Sequence, residues 1–175
     1  MDMPDPKDAL RQKISDKSAV VGVVGLGYVG LPFAVEKAKV GFRVIGIEQN
    51  LVRANKVNAG INYISDVKDD ELKMLVSNGK ISAVTDFSCV PDLDVIVICV
   101  PTPLTRNLTP DLQYVEGVTR QIAGRLRRGQ LVSLESTTYP GTTEEVMLPI
   151  LEQSTLRVEE DFFLVHSPER VDPGN

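Results

Sequence analysis

Val20-Val21-Gly22-Val23-Val24-Gly25-Leu26-Gly27-Tyr28-Val29-Gly30 is the stretch from which the rest of the chain is read. It opens as a short, almost wholly apolar run, the pattern of a strand buried on both faces. Gly25, Gly27 and Gly30 then fall in the spacing G-x-G-x-x-G, and an apolar segment at helical spacing follows. Strand, glycine turn and helix in that order form a cradle for a dinucleotide pyrophosphate. Gly25 permits the tight turn, Gly27 removes a side chain where phosphates must come close, and Gly30 lets the helix pack on the strand. The helix start contributes unpaired N–H groups and about half a positive charge.

Glycine spacing alone also fits a plain strand-to-helix turn that binds nothing. The continuation separates the two readings. Gly41-Phe42-Arg43-Val44-Ile45-Gly46-Ile47-Glu48 reads as a second apolar strand ending in a carboxylate. Glu48 stands about 20 residues beyond the glycines, where a Rossmann unit places the acid that accepts hydrogen bonds from the adenosine ribose. A carboxylate there repels a 2′-phosphate, which favours NAD over NADP as cofactor.

Composition sets the outer bounds. A chain of 175 residues with 42% apolar and 25% charged residues is long enough for one domain with a core of its own. The net charge of −5, without any basic run, argues against a nucleic-acid surface. Met1 to Asp8 is polar and proline-bearing, lacks the apolar centre of a signal peptide, and reads as a loose tail. The longest apolar region, Ala19 to Val35, is broken by glycines and Pro32 and does not read as a membrane span. No membrane partner and a cytoplasmic location are therefore expected. Cys89 and Cys99 are too few for a disulfide framework or a zinc site, and both are expected to be reduced. No metal is called for.

Strand and helix patterns alternate along the chain. They predict an α/β fold: a Rossmann-type, doubly wound, mostly parallel sheet with helices on both faces. Residues 1–18 are an N-terminal tail or extra segment, and 19–175 the dinucleotide-binding domain. Helices are expected from Val29 to Val40, from the Asn50 cap to Gly60, and after Asp69-Asp70-Glu71. Val115, Val118, Ile122 and Leu126 give a further helix one apolar face, with Arg125, Arg127 and Arg128 as its solvated last turn. Thr142 and Glu145 have the spacing of a capping box, and Pro149 should kink or shorten the helix that follows. Asp94 to Val100 is the clearest central strand. It exits into Pro101-Thr102-Pro103, which stiffens the turn and fixes Thr102 at the ligand-binding edge of an open sheet. Leu131 to Leu134 exits into Glu135-Ser136-Thr137, and Phe162 to Val165 into His166-Ser167-Pro168-Glu169-Arg170-Val171. In a doubly wound sheet these exits share an edge with the glycine turn.

These ordered motifs resemble a known family. Val23 to Pro32, Val100-Pro101-Thr102-Pro103, Glu135-Ser136-Thr137 and Ser167-Pro168-Glu169-Arg170-Val171 look like the UDP-glucose/GDP-mannose dehydrogenases, the nucleotide-sugar 6-dehydrogenases. The resemblance runs from about Ala19 to Asn175, over the family's N-terminal NAD-binding domain. It implies oxidation of the C6 hydroxyl of a nucleotide-linked sugar to a carboxylate, with NAD as cofactor and a UDP-sugar as substrate. In this family a cysteine captures the aldehyde, assisted by a lysine and an asparagine. Neither Cys89 nor Cys99 stands at the matching place, so the fragment alone is expected to be inactive. A central helix and a C-terminal substrate domain complete the family's enzymes, which implies a homo-oligomer at full length.

Residue by residue, the resemblance makes Tyr28 and Val29 the backbone cradle of the pyrophosphate. It makes Glu48 the ribose acid, where the family more often has aspartate, and places Arg53 near the adenosine. Thr102 and Thr137 match threonines that contact the cofactor. Thr137 and Glu169 match catalytic groups that position and assist a water. Arg170 and Val171 match substrate-binding positions, and Arg170-Val171-x-Pro173-Gly174 looks more like the branch acting on UDP-N-acetylhexosamines. Alternatives are UDP-glucose or GDP-mannose as substrate, a stand-alone NAD-binding module without catalysis, and a 3-hydroxyacid or 6-phosphogluconate-type dehydrogenase. The last group shares the glycine turn but lacks the Pro-Thr-Pro and Ser-Pro-Glu-Arg-Val loops.

Overall fold

The central strands are short and almost wholly buried, and the architecture follows from that. The computed structural model describes residues 5–106 and 108–168. Six strands, β1 (Val20–Val24), β2 (Arg43–Ile47), β3 (Ile81–Val84), β4 (Val95–Ile98), β5 (Leu131–Leu134) and β6 (Phe163–His166), form one sheet in the order β3-β2-β1-β4-β5-β6. All five pairings are parallel. The order reverses direction between β1 and β4, the switch point at which open α/β sheets bind ligands.

Alternate residues of β1, β2 and β4 feed two separate cores. Val21, Val23, Val44 and Val97 pack on one face with Leu31, Val35 and Leu72, under α2 (Gly30–Val40), α3 (Leu51–Asn58) and α4 (Asp69–Ser77). Val24, Ile45, Ile96, Ile98 and Leu134 pack on the other with Val115, Ile122 and Leu151, under α5 (Gln113–Ala123) and α6 (Leu148–Leu151). Burial on both faces explains why the strands read as apolar runs rather than as alternating patterns.

Three local expectations need correction. The polar opening is not a loose tail throughout: Pro6–Ser15 form a helix, α1. Asp5 caps it by accepting from the Lys7 N–H, and Pro6 sits in its first turn, where a missing N–H costs nothing. Next, α5 ends at Ala123, before the arginines. Arg127 is only part-exposed and is tied into the sheet edge. It donates to the carbonyls of Pro91 and Leu93 and to Asp94 Oδ1, while Arg128 lies 3.5 Å from Asp161. Finally, Thr142 forms no capping box. Gly141 occupies the cap position in a left-handed conformation, and the Thr142 hydroxyl donates back to the Tyr139 carbonyl. A π-helical turn over Thr142–Met147 leads into α6, whose first turn takes Pro149. The wider turn brings the chain to the proline without a straight helix for it to kink.

Asp94 ties the amino edge of the sheet together. Its carboxylate accepts from Lys13 Nζ of α1 at 2.8 Å, Arg127 Nη2 at 2.9 Å and the Val20 N–H at 2.9 Å. Burial alone would raise this carboxyl, but the hydrogen bonds from Lys13, Val20 and Arg127 outweigh it and hold it below the usual carboxylate range. Beside it, fully buried Gln130 donates to the carbonyls of Val90 and Leu93 and accepts from the Arg127 N–H.

Candidate functional site

The glycine turn lies at the carboxyl edge of the sheet, where β1 gives way to α2. Gly25 takes φ +87°, and a Cβ there would lie 2.7 Å from the Cys99 carbonyl oxygen on the neighbouring strand's exit. A Cβ on Gly30 would collide with the carbonyl oxygen of Gly25. Both glycines are thus demanded by the protein's own packing. Gly27 is different: a Cβ on it would meet nothing within 4 Å. No packing contact in the chain demands the missing side chain, and the Cβ position faces open space. The first helical bond runs from the Leu31 N–H to the Gly27 carbonyl, at 3.1 Å. The N–H groups ahead of Leu31 are therefore those a helix start leaves open to an anion.

That open space is a cleft of about 650 Å³, lined on one wall by Gly25, Gly27, Tyr28 and Val29. Glu48 and Arg53, Val100 and Pro101 beyond β4, and Gln113, Tyr114 and Gly117 of α5 also line it. The volume lies within the range of small-molecule and cofactor sites. A bare backbone at Gly27, an open helix start and an acid at the end of β2, all on one cleft, fit a dinucleotide.

Glu48 is 7% exposed and held on both oxygens. Oε2 accepts from the Leu26 N–H at 3.0 Å, inside the glycine turn, and Oε1 from the Asn50 N–H at 2.9 Å. The Asn50 side chain in turn accepts from the N–H groups of Val52 and Arg53, capping α3. A carboxylate has about four lone-pair sites, so acceptor capacity remains for a ligand's hydroxyls. The Arg53 guanidinium sits 5.9 Å from the centre of the Tyr63 ring, and the Tyr63 hydroxyl donates to the Leu26 carbonyl at 2.7 Å.

The exits of β4 and β5 are laced to each other. The Thr102 hydroxyl donates to the Thr137 carbonyl at 2.6 Å, and the Ser136 hydroxyl to the Val100 carbonyl at 2.7 Å. Thr102 and Thr137 are therefore neighbours at the same edge as the glycine turn, Thr102 directly following Pro101, which lines the cleft. Neither lines the cleft itself. Next to them the Thr138 hydroxyl is buried without a partner among the described residues. Glu169, Arg170 and Val171 lie outside the described residues.

Sequence reading missed Gln113, Tyr114, Gly117 and Tyr63. Gln113 and Tyr114 lie four and three residues before Gly117, so both border its face of α5. A signal existed in Gly117, which sits in the middle of α5 with nothing within 4 Å of a Cβ position. An interior helical glycine costs about 1 kcal/mol against alanine, which marks a position where bulk is unwelcome. Tyr63 lies in an irregular loop, and nothing in its local sequence ties it to Leu26.

Comparison with known proteins bears on the same residues. The family model described as "UDP-glucose/GDP-mannose dehydrogenase family, NAD binding domain" matches residues 19–175. The chain is 41% identical, over 88% of its length, to a UDP-N-acetyl-D-mannosamine dehydrogenase of Pyrococcus horikoshii. It is 40% identical, over 91% of its length, to a UDP-N-acetyl-D-glucosamine 6-dehydrogenase of Pseudomonas aeruginosa. It spans 37% of the length of each of these two relatives. Among solved structures, an NDP-N-acetyl-D-galactosaminuronic acid dehydrogenase from Methanosarcina mazei superposes with a TM-score of 0.85 at 31% identity, over 99% of this chain and 38% of that one. Among the described residues no helix is long and apolar enough to cross a membrane.

Proposed function

Because the chain belongs to the UDP-glucose/GDP-mannose dehydrogenase family, as its NAD-binding domain, we propose that it holds NAD for the oxidation of a UDP-N-acetylhexosamine at C6 to the carboxylate. The observation that carries the reading is the Gly27 backbone, bare without any internal need and open to the cleft. The N-acetylhexosamine branch is favoured by the relatives. Those named for N-acetylmannosamine and N-acetylglucosamine reach 41% and 40% identity. A solved GDP-mannose dehydrogenase stands at 33% and a UDP-glucose dehydrogenase at 30%.

In this reading the N–H groups of Tyr28 and Val29, beside Gly25, Gly27 and Gly30, hold the pyrophosphate. Glu48 accepts from the adenosine ribose with the lone pairs that Leu26 and Asn50 leave free, and Arg53 borders the adenosine. NAD, when bound, supplies the hydride acceptor. Thr102 and Thr137 border the nicotinamide end, and their mutual hydrogen bond fixes the loops that carry them. The Thr137 hydroxyl positions a water and Glu169 takes its proton as general base, while Arg170 and Val171 meet the sugar nucleotide. The nucleophile and the substrate domain belong to parts of the enzyme that this chain does not contain. The complete protein would be a cytoplasmic homo-oligomer.

The test is calorimetric. NAD titrated into the chain should bind at one site, and NADP at least about tenfold more weakly, since Glu48 opposes a 2′-phosphate. The chain alone should reduce no NAD with UDP-N-acetylglucosamine or UDP-N-acetylmannosamine, and the complete protein should. Failure of NAD to bind, or reduction of NAD by the isolated chain, would refute the reading.

A further inference from the structure

The Leu26 peptide groups are held from two sides by side chains far apart in sequence. The Leu26 N–H donates to Glu48 Oε2 at 3.0 Å, and its carbonyl accepts from the Tyr63 hydroxyl at 2.7 Å. The Leu26 side chain is fully buried beneath β2, against Gly46, where any Cβ would collide with it. The residue between the first two glycines is therefore clamped at its N–H, its carbonyl and its side chain, while a side chain on Gly27 beside it would meet no protein atom within 4 Å of its Cβ. No peptide here is cis, so the Leu26 carbonyl and the Gly27 N–H point in opposite directions across one planar group. A hydroxyl donating to that carbonyl leaves the N–H directed away from Tyr63.

We propose that Tyr63 is a positioning residue for the dinucleotide: its hydroxyl fixes and polarises the Leu26–Gly27 peptide for the pyrophosphate, and its ring seats Arg53 at the adenosine end. This rests on the dinucleotide reading of the cleft. The donor role is secure at working pH. Burial, with the nearby Glu48 charge, pushes the Tyr63 hydroxyl up to about 12, so it keeps its proton. A carbonyl that accepts a hydrogen bond makes the N–H at the far side of its peptide a stronger donor. The loop carrying Tyr63 thereby reaches both halves of the cleft. The hydroxyl acts on the phosphate wall, and the ring, 5.9 Å from the Arg53 guanidinium, acts on the adenosine wall.

The two parts of the side chain can be tested apart. The chain and its variants are titrated with NAD, ADP-ribose and adenosine, and the Gly27 amide is followed by NMR without ligand. Y63F keeps the ring and should weaken NAD and ADP-ribose by about 3- to 10-fold, the worth of one hydrogen bond. Adenosine, which has no phosphate, should bind Y63F within about twofold of the unaltered chain. The Gly27 amide proton should move upfield as its peptide loses polarisation, with the ligand-free melting temperature held within about 2 °C. Y63A should weaken adenosine as well, by about 2- to 5-fold, through the lost seat for Arg53. Equal NAD affinity in Y63F, an unmoved Gly27 resonance, or a Y63F loss shared equally by adenosine would overturn the proposal. So would a Y63F chain that no longer folds, which would make the hydroxyl a structural group. If the unaltered chain binds neither NAD nor ADP-ribose, the dinucleotide reading itself has failed, and the role of Tyr63 falls with it.

Discussion

The two edges of the sheet carry similar polar groups and finish them in opposite ways. At the amino edge, Asp94, Lys13, Arg127 and Gln130 spend their hydrogen bonds on one another and on the carbonyls of Val90, Pro91 and Leu93. At the carboxyl edge, Glu48 and Tyr63 hold the glycine turn from behind, and the helix start in front stays open to a cleft. A buried polar group without a partner costs about 1–3 kcal/mol, so a satisfied edge is what stability alone would select. The difference teaches where to look for function. The site lies where the fold holds its backbone rigid yet leaves donors open, and the most heavily bonded acid, Asp94, belongs to the scaffold.

Substitutions at the two edges should therefore separate binding from stability. The largest effect is expected at Gly27. G27V places a side chain where the pyrophosphate must lie and should lower NAD affinity by at least about 100-fold in a titration, with the melting temperature nearly unchanged because no protein atom is in its way. G30V should do the reverse: it drives a side chain into the Gly25 carbonyl and should cost about 3 kcal/mol or more in denaturant melts. At the opposite edge, D94A takes the acceptor from Lys13 and the Val20 N–H and leaves Arg127 with carbonyl partners alone. It should destabilise the fold by about 2–3 kcal/mol, less than a fully buried pair because both cations are part-exposed, and leave NAD affinity within about twofold. A large loss of NAD binding in D94A would erase the contrast between the edges.

Smaller effects sharpen the same comparison. E48A should reduce the preference for NAD over NADP by about tenfold. Both cofactors should also weaken, since the Leu26 and Asn50 N–H groups lose their anchor. An unchanged ratio would move the ribose contact elsewhere. The pH dependence should be smaller still and should belong to the amino edge. The native Asp94 carboxyl lies below its ordinary value of 3.8. Its contribution is thus present in full above that value and is lost as pH falls toward and through the lower native one. In D94N the acid limb of a pH–stability curve should be shallower than in the unaltered chain, and equal limbs would remove Asp94 as its source.

How far the sequence could be read depended on the range of the interactions involved. The strand, the glycine spacing, the helix and the acid at Glu48 are local patterns, and each is stamped on a few consecutive residues. The doubly wound, mostly parallel sheet followed from the alternation of strand and helix patterns. Helix α1 was missed although its signals are local: Asp5 before Pro6 is a cap followed by a first-turn proline, but the segment is too polar to show an apolar face. Arg127 was missed for a different reason. The partners that hold it, Pro91, Leu93 and Asp94, lie 33 to 36 residues away, so nothing beside it in the chain distinguishes it from Arg125, whose guanidinium bonds to Gln121 four residues back. Glu48 was placed correctly at the end of β2, yet its bonds to the glycine turn and to Asn50 depend on a folded turn. Tyr63 and the cleft face of α5 are also products of tertiary packing. The roles proposed for Glu169, Arg170 and Val171 rest on the resemblance, since those residues lie outside the described part of the chain.

Gly46 and Leu26 share one volume, and that sharing constrains how sequences of this fold can drift. Alanine at position 46 would be crowded out by the leucine, and a smaller residue at position 26 would open a void under β2. Either step alone damages the turn that faces the cleft, whereas the two together exchange bulk between them. The pair should therefore vary jointly among descendants, as a lock whose ward and key are cut from the same blank.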